Sequence, residues 1–522
     1  MNDVDFNLLY EPWISVMDYE GKILQMGIMD TLNQAHKIKS LAGETPTQDV
    51  TIIRLLLAII SAIYLRTDSD GTKAHLTDEE DAVERWGRLW ERNRFDSEHV
   101  QQYLVGFEDR FYLFHPKFPF YQSPIEKGTE YTSPKLIGDL LESSNKLRLF
   151  SNRNGAGKVK ISYAEAARWI LHLNAFDDTS AKPTVRGGNM PSPGAGWLGK
   201  LGLIYAEGKN LFETLMLNFV MTDHNYDPFP DGKAIWESSP RIEERVIIPM
   251  PESPLEIMTL QSRRILLKRE EGFVTGYILM GGDIVDRENA LIEQMTVWRK
   301  DKTGAWLPKR HDPSRLMWRD FSAMMSGFED NIKPGVVRWI SSLVAEDLLP
   351  DEFLTFRITG IKYGDKDFFA EDTIDDGMVF NAELLSSLGE SWIHRISNLI
   401  KRTEESIYAF GTFARNLSID SGNDAEGKSA KNASASAREM AYFHLDMPFR
   451  RWLQSINPVS DDEESRLNEW TGLVYSVLVD NLGKQLLEDA GVQAMVGSSL
   501  QNNSISRYRL FRNSVRKILR GD

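Results

Sequence analysis

The sequence predicts an α+β protein, with a large mixed α/β N-terminal domain over residues 1–380 and a C-terminal four-helix bundle over residues 381–522. Three observations carry that prediction. At 522 residues the chain exceeds what one hydrophobic core ordinarily holds. In the first part, short strand-like apolar runs at 14–17 and 246–248 are mixed with helical spacing over 51–66, 78–93 and 163–174. From Asn381 the texture changes: Leu384, Leu385, Leu388, Trp392, Ile396, Leu399 and Ile400 recur at helical intervals, and similar stripes return over 437–453, 467–487 and 506–519. The stretch 418–436, rich in Ser, Asn, Gly, Lys and Asp, predicts a loop within the bundle.

Composition narrows the chemistry. The chain has no Cys, which excludes disulfides, thiolate zinc sites and thiol nucleophiles together, and it fits a reducing cytoplasm. Residues 1–5 are acidic where a secretory signal would be basic, so a cytoplasmic protein is expected. The longest apolar run, 52–65, is interrupted by Arg54 and is shorter than the roughly 17 residues a membrane span needs, so it predicts a core helix and no membrane partner.

Formal net charge is -15, yet the positive charge is concentrated. Residues 146–160 hold Lys146, Arg148, Arg153, Lys158 and Lys160 with no carboxylate. Within them Phe150, Asn152, Arg153, Asn154, Gly155, Gly157, Lys158 and Lys160 combine amide donors, approachable backbone and cations, a set suited to phosphates or base edges. A solvated surface loop is the competing reading. Residues 297–319 hold seven cations against two carboxylates, with Arg299, Lys300 and Lys302 at their start and Trp298, Trp306 and Trp318 interleaved. Residues 506–522 hold six cations against one carboxylate. Acidic blocks sit elsewhere, at 78–81 and 461–464. Such segregation suits a subunit that grips a polyanion on one side and protein on others.

One enzyme-like motif demands an answer. Gly422 to Ser429 satisfies GxxxxGK[ST] letter for letter, which makes a nucleotide-binding loop using Gly427, Lys428 and Ser429 the alternative reading. Such a loop needs a buried strand before it and a helix opening at the lysine, whereas 413–421 reads as a helix end, and Asp424 and Glu426 would place carboxylates in the anion cradle. Nine His are scattered without a metal-binding spacing, and no nucleophile stands in a recognisable context, so no catalytic residue, metal or cofactor is expected. His115, inside an aromatic and proline-rich stretch, reads as packing. Residues 186–199 are dense in glycine and end near Trp197, a pattern that lets backbone approach a partner closely while an aromatic anchors the far side.

Several segments, read together, resemble the large subunit of the type I-E CRISPR surveillance complex Cascade, the CasA family. They are 6–16 (FNLLYEPWISV), 119–122 (PFYQ), the Arg186-Gly187-Gly188 block, the helix ending at Asn218, and 438–446 with 448–453 in the tail. The resemblance spans almost the whole chain. It implies a subunit without catalytic activity that recognises a protospacer-adjacent motif in double-stranded DNA, helps unwind the duplex for guide pairing, and recruits a helicase-nuclease. Other Cascade subunits, the 5′ handle of the guide RNA and the target duplex are the partners implied. Phe150 to Asn152 falls where the family has its first recognition loop. Residues 363–368 resemble its wedge hairpin, with Asp365, Lys366 or Asp367 at the tip. The family's glycine loop falls near 177–185, where Lys182 lies but no Gly occurs, and Arg186, Gly187 and Gly188 follow it. A further lysine at the duplex corresponds to Arg299, Lys300 or Lys302.

Overall fold

A computed structural model of the chain describes residues 4–138, 159–179, 193–242, 244–325, 330–349, 352–496 and 503–521. Two compact units make it up. The first comprises Met1–Arg315, Gly327–Leu348 and Thr355–Gly377; the second comprises Leu316–Ser326, Leu349–Leu354 and Met378–Asp522. Helices and sheets are both present and the last part of the chain is helical, the class the sequence predicted.

The first unit opens with a small antiparallel sheet in which β1 (Ile14–Met17) lies between β2 (Ile23–Met26) and β3 (Ser40–Leu41). Helix α1 (Pro46–Tyr64) follows, started by the Thr45 side chain accepting from the Gln48 N–H and by Pro46 in the first turn. It is long and apolar enough to cross a membrane, yet almost all of that window is buried inside the protein, as a core helix is. Arg54, which interrupts the run, makes a bidentate pair with buried Glu293 at 2.8 Å to each oxygen. Burial pushes the Glu293 carboxyl up, but Arg54 and the Trp197 indole N–H hold it below its ordinary value. Removing either partner of a pair this buried costs about 3–5 kcal/mol.

Helix α2 (Glu79–Glu91) explains the first acidic block. Asp78 caps the helix by accepting from the Asp81 N–H, and the next three acids complement the partial positive charge of the helix start. Strand β4 (Thr129–Thr132) and helix α3 (Tyr163–Phe176, capped by Ser162) come next, then β5 (Leu203–Glu207) and α4 (Leu211–Asn218). Strands β6 (Arg263–Glu270) and β7 (Phe273–Gly281) form an antiparallel hairpin that β4 extends. A shorter hairpin joins β8 (Trp298–Lys300) to β9 (Trp306–Pro308). The long strands β10 (Phe353–Tyr363) and β11 (Ala370–Asn381) complete a sheet of order β11-β10-β5.

The second unit is built on α5 (Gly389–Asp420), α6 (Lys428–Gln454), α7 (Glu463–Tyr475) and α9 (Ser504–Arg520). Helix α7 continues through a π-helical stretch, Ser476–Gly483, into α8 (Lys484–Glu488). The extra residue per turn leaves backbone carbonyls displaced, and the Tyr508 hydroxyl donates to one of them, Val479 O, at 3.1 Å. Trp392, Ile396, Ile407 and Phe410 of α5 are buried, and Trp470 stacks among Phe449 and Trp452 while donating its indole N–H to Thr403 Oγ1 at 3.0 Å. The second acidic block starts α7: Asp462 caps it, and Glu463 and Glu464 take both arms of Arg395.

One expectation fails here. The loop predicted over 418–436 is confined to 421–427, because α6 already begins at Lys428. Ala430, Ala433, Ala435 and Ala437 outweigh the polar residues between them, since alanine loses no side-chain entropy in a helix.

Candidate nucleic-acid interface

The turn joining β10 to β11 is held from three directions. Lys366 and Asp367 both adopt the left-handed region, at φ 54° and 60°, which is unfavourable for residues with a Cβ and requires compensation. Arg310 provides it, donating to both Asp367 carboxylate oxygens at 2.7 and 2.9 Å. The Asp367 carbonyl accepts from the Thr179 N–H at 2.9 Å, and Gly364 N donates to Phe369 O at 2.8 Å. Below the tip, the buried Tyr363 hydroxyl donates to Phe176 O at 2.6 Å, at the end of α3. Burial raises the Tyr363 phenol far above its ordinary value, so it remains a donor throughout the accessible pH range.

These anchors sort the three predicted tip residues. Asp367 is engaged by Arg310 and forms the base of the tip, whereas Asp365 and Lys366 are exposed. Sequence reasoning missed their neighbours. Phe368 and Phe369 are 42% and 45% exposed, side by side with ring centroids 6.5 Å apart. Phe368 keeps helical geometry at the end of the turn and β11 begins only at Ala370, so the strand pattern read from sequence does not reach either ring.

Of the other candidates, Lys182, Arg186, Gly187 and Gly188 lie outside the described residues, as do Phe150, Asn152, Arg153, Asn154, Gly155, Gly157 and Lys158. The described flanks still locate where those segments attach. The fully buried Arg263 guanidinium donates to Asp178 O at 2.9 Å and to Gly194 O at 2.8 Å, and its Nε pairs with the Asp177 carboxylate. Both ends of segment 180–192 are therefore clamped by one side chain, and Thr179 ties that clamp to the tip. Lys200 adds to it, donating to Pro193 O at 3.0 Å. Burial, reinforced by Arg263, Arg287 and Arg310, lowers the Lys200 ammonium to about 8.

Segment 139–158 leads into the start of α3, the opposite end from segment 180–192, while Gly138, which precedes it, packs against Trp169 and His172 of that helix. Ser133 Oγ donates to Val159 O at 2.5 Å, and Ile161 pairs with Val274 of β7. Lys160 is described: it makes an exposed ion pair with Glu271 at 2.6 Å, an arrangement that salt screens readily.

Arg299, Lys300 and Lys302 sit exposed on the β8–β9 hairpin, whose turn is set by Asp301 Oδ1 accepting from the N–H groups of Thr303 at 2.7 Å and Ala305 at 3.0 Å. Lys300 Nζ lies 5.4 Å from the centre of the Trp306 ring. Trp298 and Trp318, by contrast, are buried, so the interleaving of tryptophan with cations is mainly core alternating with surface. The glycine-dense stretch also turns inward where it is described. Gly196 packs against the Ala175 backbone and Gly199 leaves the space that the Tyr363 hydroxyl occupies, while Trp197 is buried. His115 is packing too: its Nδ1 accepts from the Lys117 and Phe118 N–H groups, and its ring stacks on Phe118.

The nucleotide-loop motif fares differently. Lys428 and Ser429 do open a helix, but what precedes the motif is the end of α5 and not a strand. Glu426 pairs with Arg415 at 3.3 Å and Lys431 at 3.5 Å, and Asp424 accepts from the Glu426 N–H at 3.2 Å. Gly427, the remaining motif residue, is the cap, its N–H donating to Asp424 O at 3.0 Å. Carboxylates occupy the region where a phosphate would need amides and cations. Among the described residues, no group of three or more His, Asp or Glu is arranged to hold a metal ion.

Against known proteins, the model of the family described as CRISPR-associated protein Cse1 matches residues 7–480. The CRISPR-associated protein CasA/Cse1 of Thermus thermophilus is 30% identical over 330 residues, 61% of this chain and 60% of that protein's length. The crystal structure of Thermobifida fusca Cse1 superposes with a TM-score of 0.84 at 27% identity, covering 99% of this chain and 98% of that one. A chain of a CRISPR RNA-guided surveillance complex, pre-nicking, shares the fold at a TM-score of 0.63 and 18% identity over 99% of each. The chain belongs to the CRISPR-associated protein Cse1 family, also called CasA.

Proposed function

We propose that this chain is a subunit without catalytic activity of an RNA-guided surveillance complex, working in the cytoplasm, and that it reads a protospacer-adjacent motif in double-stranded DNA, helps part the strands, and recruits a helicase-nuclease. The observation that carries this reading is the β10–β11 tip. Its backbone is fixed by Arg310 and Tyr363, and it offers Asp365, Lys366, Phe368 and Phe369 to solvent beside the clamped ends of segment 180–192. A rigid turn carrying flat apolar rings is suited to replace a lost base-stacking partner, and insertion of apolar side chains between base steps offsets a few kcal/mol of unstacking. Strand exchange with a guide RNA is close to balanced, so contacts of that size decide whether it proceeds. The cations of Arg299, Lys300 and Lys302, with Lys160 and the residues of segments 139–158 and 180–192, would hold phosphates and groove edges. Other Cascade subunits and the 5′ handle of the guide RNA complete the assembly.

The test uses the assembled complex with a motif-bearing duplex whose first base pairs carry a fluorescent base analogue. Replacing Phe368 and Phe369 together with Ala should slow strand opening at least tenfold while leaving the unfolding midpoint unchanged. Opening at the original rate would remove the wedge assignment.

A further inference from the structure

A half-open cavity of about 570 Å³ lies on the second unit where α5, α7 and α9 meet, a size suited to a small organic ligand. Four arginines line it: Arg395, Arg402, Arg516 and Arg520. Only Arg395 is neutralised, by Glu463 and Glu464. Arg402 reaches Leu519 O at 3.4 Å, a long contact, and Arg516 lies over the Tyr475 ring at 5.8 Å. Among the described residues, neither Arg402, Arg516 nor Arg520 has a carboxylate within ion-pair distance. Arg402 is half-buried and Arg516 and Arg520 are exposed at the rim, so an anion entering the cavity would meet guanidinium groups whose planar forks match phosphate oxygens. Tyr475 and the apolar side chains of Leu399, Leu467 and Leu519 supply a flat, oily wall beside them.

A second observation points the same way. Gly472, inside α7, lines this cavity, although glycine in a helix interior is less stable than alanine. Close packing does not require it, because a Cβ at that position would meet no protein atom within 4 Å. Gly472 is exposed, so its missing Cβ leaves the mouth of the cavity open to solvent.

We propose that this cavity binds a nucleoside phosphate, with Arg402, Arg516 and Arg520 on the phosphate and Tyr475 beside the base. The same chemistry could arrive as a free nucleotide or as the phosphorylated end of a strand. The full-length protein is titrated calorimetrically with ADP, with a dodecameric single strand bearing a 5′ phosphate, and with the same strand lacking it. Binding of ADP or of the phosphorylated strand end is expected, the one that binds naming the source. Arg516→Ala with Arg520→Ala should weaken it at least tenfold, Gly472→Leu should abolish it, and Lys428→Ala should leave it unchanged. Gly472→Ala should raise the unfolding midpoint, which shows that the helix itself does not need glycine there. The proposal is overturned if neither phosphorylated probe binds, if the strand without a terminal phosphate binds as tightly as the other probes, or if binding ignores Arg516, Arg520 and Gly472. A lowered midpoint for Gly472→Ala would likewise assign that glycine to packing and remove the second support.

Discussion

The β10–β11 tip and the Gly422–Ser429 segment both look like ligand-binding loops in sequence, and they solve their electrostatics in opposite ways. At the tip, one carboxylate, Asp367, is taken up by Arg310, and at its base burial, reinforced by Arg263, Arg287 and Arg310, lowers the Lys200 ammonium to about 8. Among the described residues neither Asp365 nor Lys366 at the apex has an ion-pair partner, and the apex offers aromatic rings. At 422–429, Glu426 meets Arg415 and Lys431 and Asp424 closes on the backbone, so the segment satisfies itself. What separates an interface from a connector is therefore which charges remain uncompensated once the chain has folded, and a motif read in one dimension cannot supply that.

The largest effect expected from this contrast is at Lys200. Its pKa in the folded protein lies below its ordinary 10.5, so between about pH 8 and 10.5 the unfolded chain holds a proton that the folded one has released. In that window this group makes stability rise with pH, by on the order of 3 kcal/mol across the whole span. Lys200→Met should remove that rise and should stabilise the protein at pH 7, as read from urea unfolding at pH 7, 8 and 10. Equal slopes for both proteins would show that neither burial nor the neighbouring arginines depress the Lys200 ammonium. Next comes Tyr363→Phe, which strands the Phe176 carbonyl without its donor in a buried place and should cost about 1–3 kcal/mol. If urea unfolding gave no loss, the tip would be held by its ion pair alone. Arg310→Ala should cost less in stability, at most about 1 kcal/mol, because a third of each partner is exposed. It should nevertheless slow strand opening several-fold by loosening two left-handed residues, and a double-mutant cycle with Asp367→Ala isolates the pair.

Most of the fold was legible because it depends on local periodicity. The buried stripe of α5 and the helices found at Glu79–Glu91 and Tyr163–Phe176 follow directly from spacing. One signal misled for a physical reason. The polar stretch after 418 hid a helix start, since alanine propensity outweighs the turn-forming reputation of its serines and asparagines. The acidic blocks at 78–81 and 461–464 stay at the surface and start helices, and Glu463 and Glu464 hold Arg395. At the candidate site, the hairpin was visible as two strands around a polar turn. Its clamps were not, because Arg310 and Asp367 are 57 residues apart and Arg263 and Gly194 are 69 apart, distances over which a single sequence carries no pairing information.

The smallest effect expected is the one that completes the comparison. Lys428 stands in the first turn of α6, where a positive charge faces the partial positive end of the helix, and it has no role in holding the segment, which Glu426, Asp424 and Gly427 already satisfy. Lys428→Ala should therefore shift stability by less than about 0.5 kcal/mol and should slightly favour the folded state, since alanine is the better helix former and the unfavourable charge is gone. Glu426→Gln, by contrast, removes the carboxylate that Arg415 and Lys431 share and should lower stability by a few tenths of a kcal/mol, with the loss shrinking in high salt. A Lys428→Ala protein that unfolded several degrees earlier, or that lost strand opening in the assembled complex, would mean that this lysine reaches a partner, and the contrast between a self-satisfied connector and an uncompensated tip would fail at its second half.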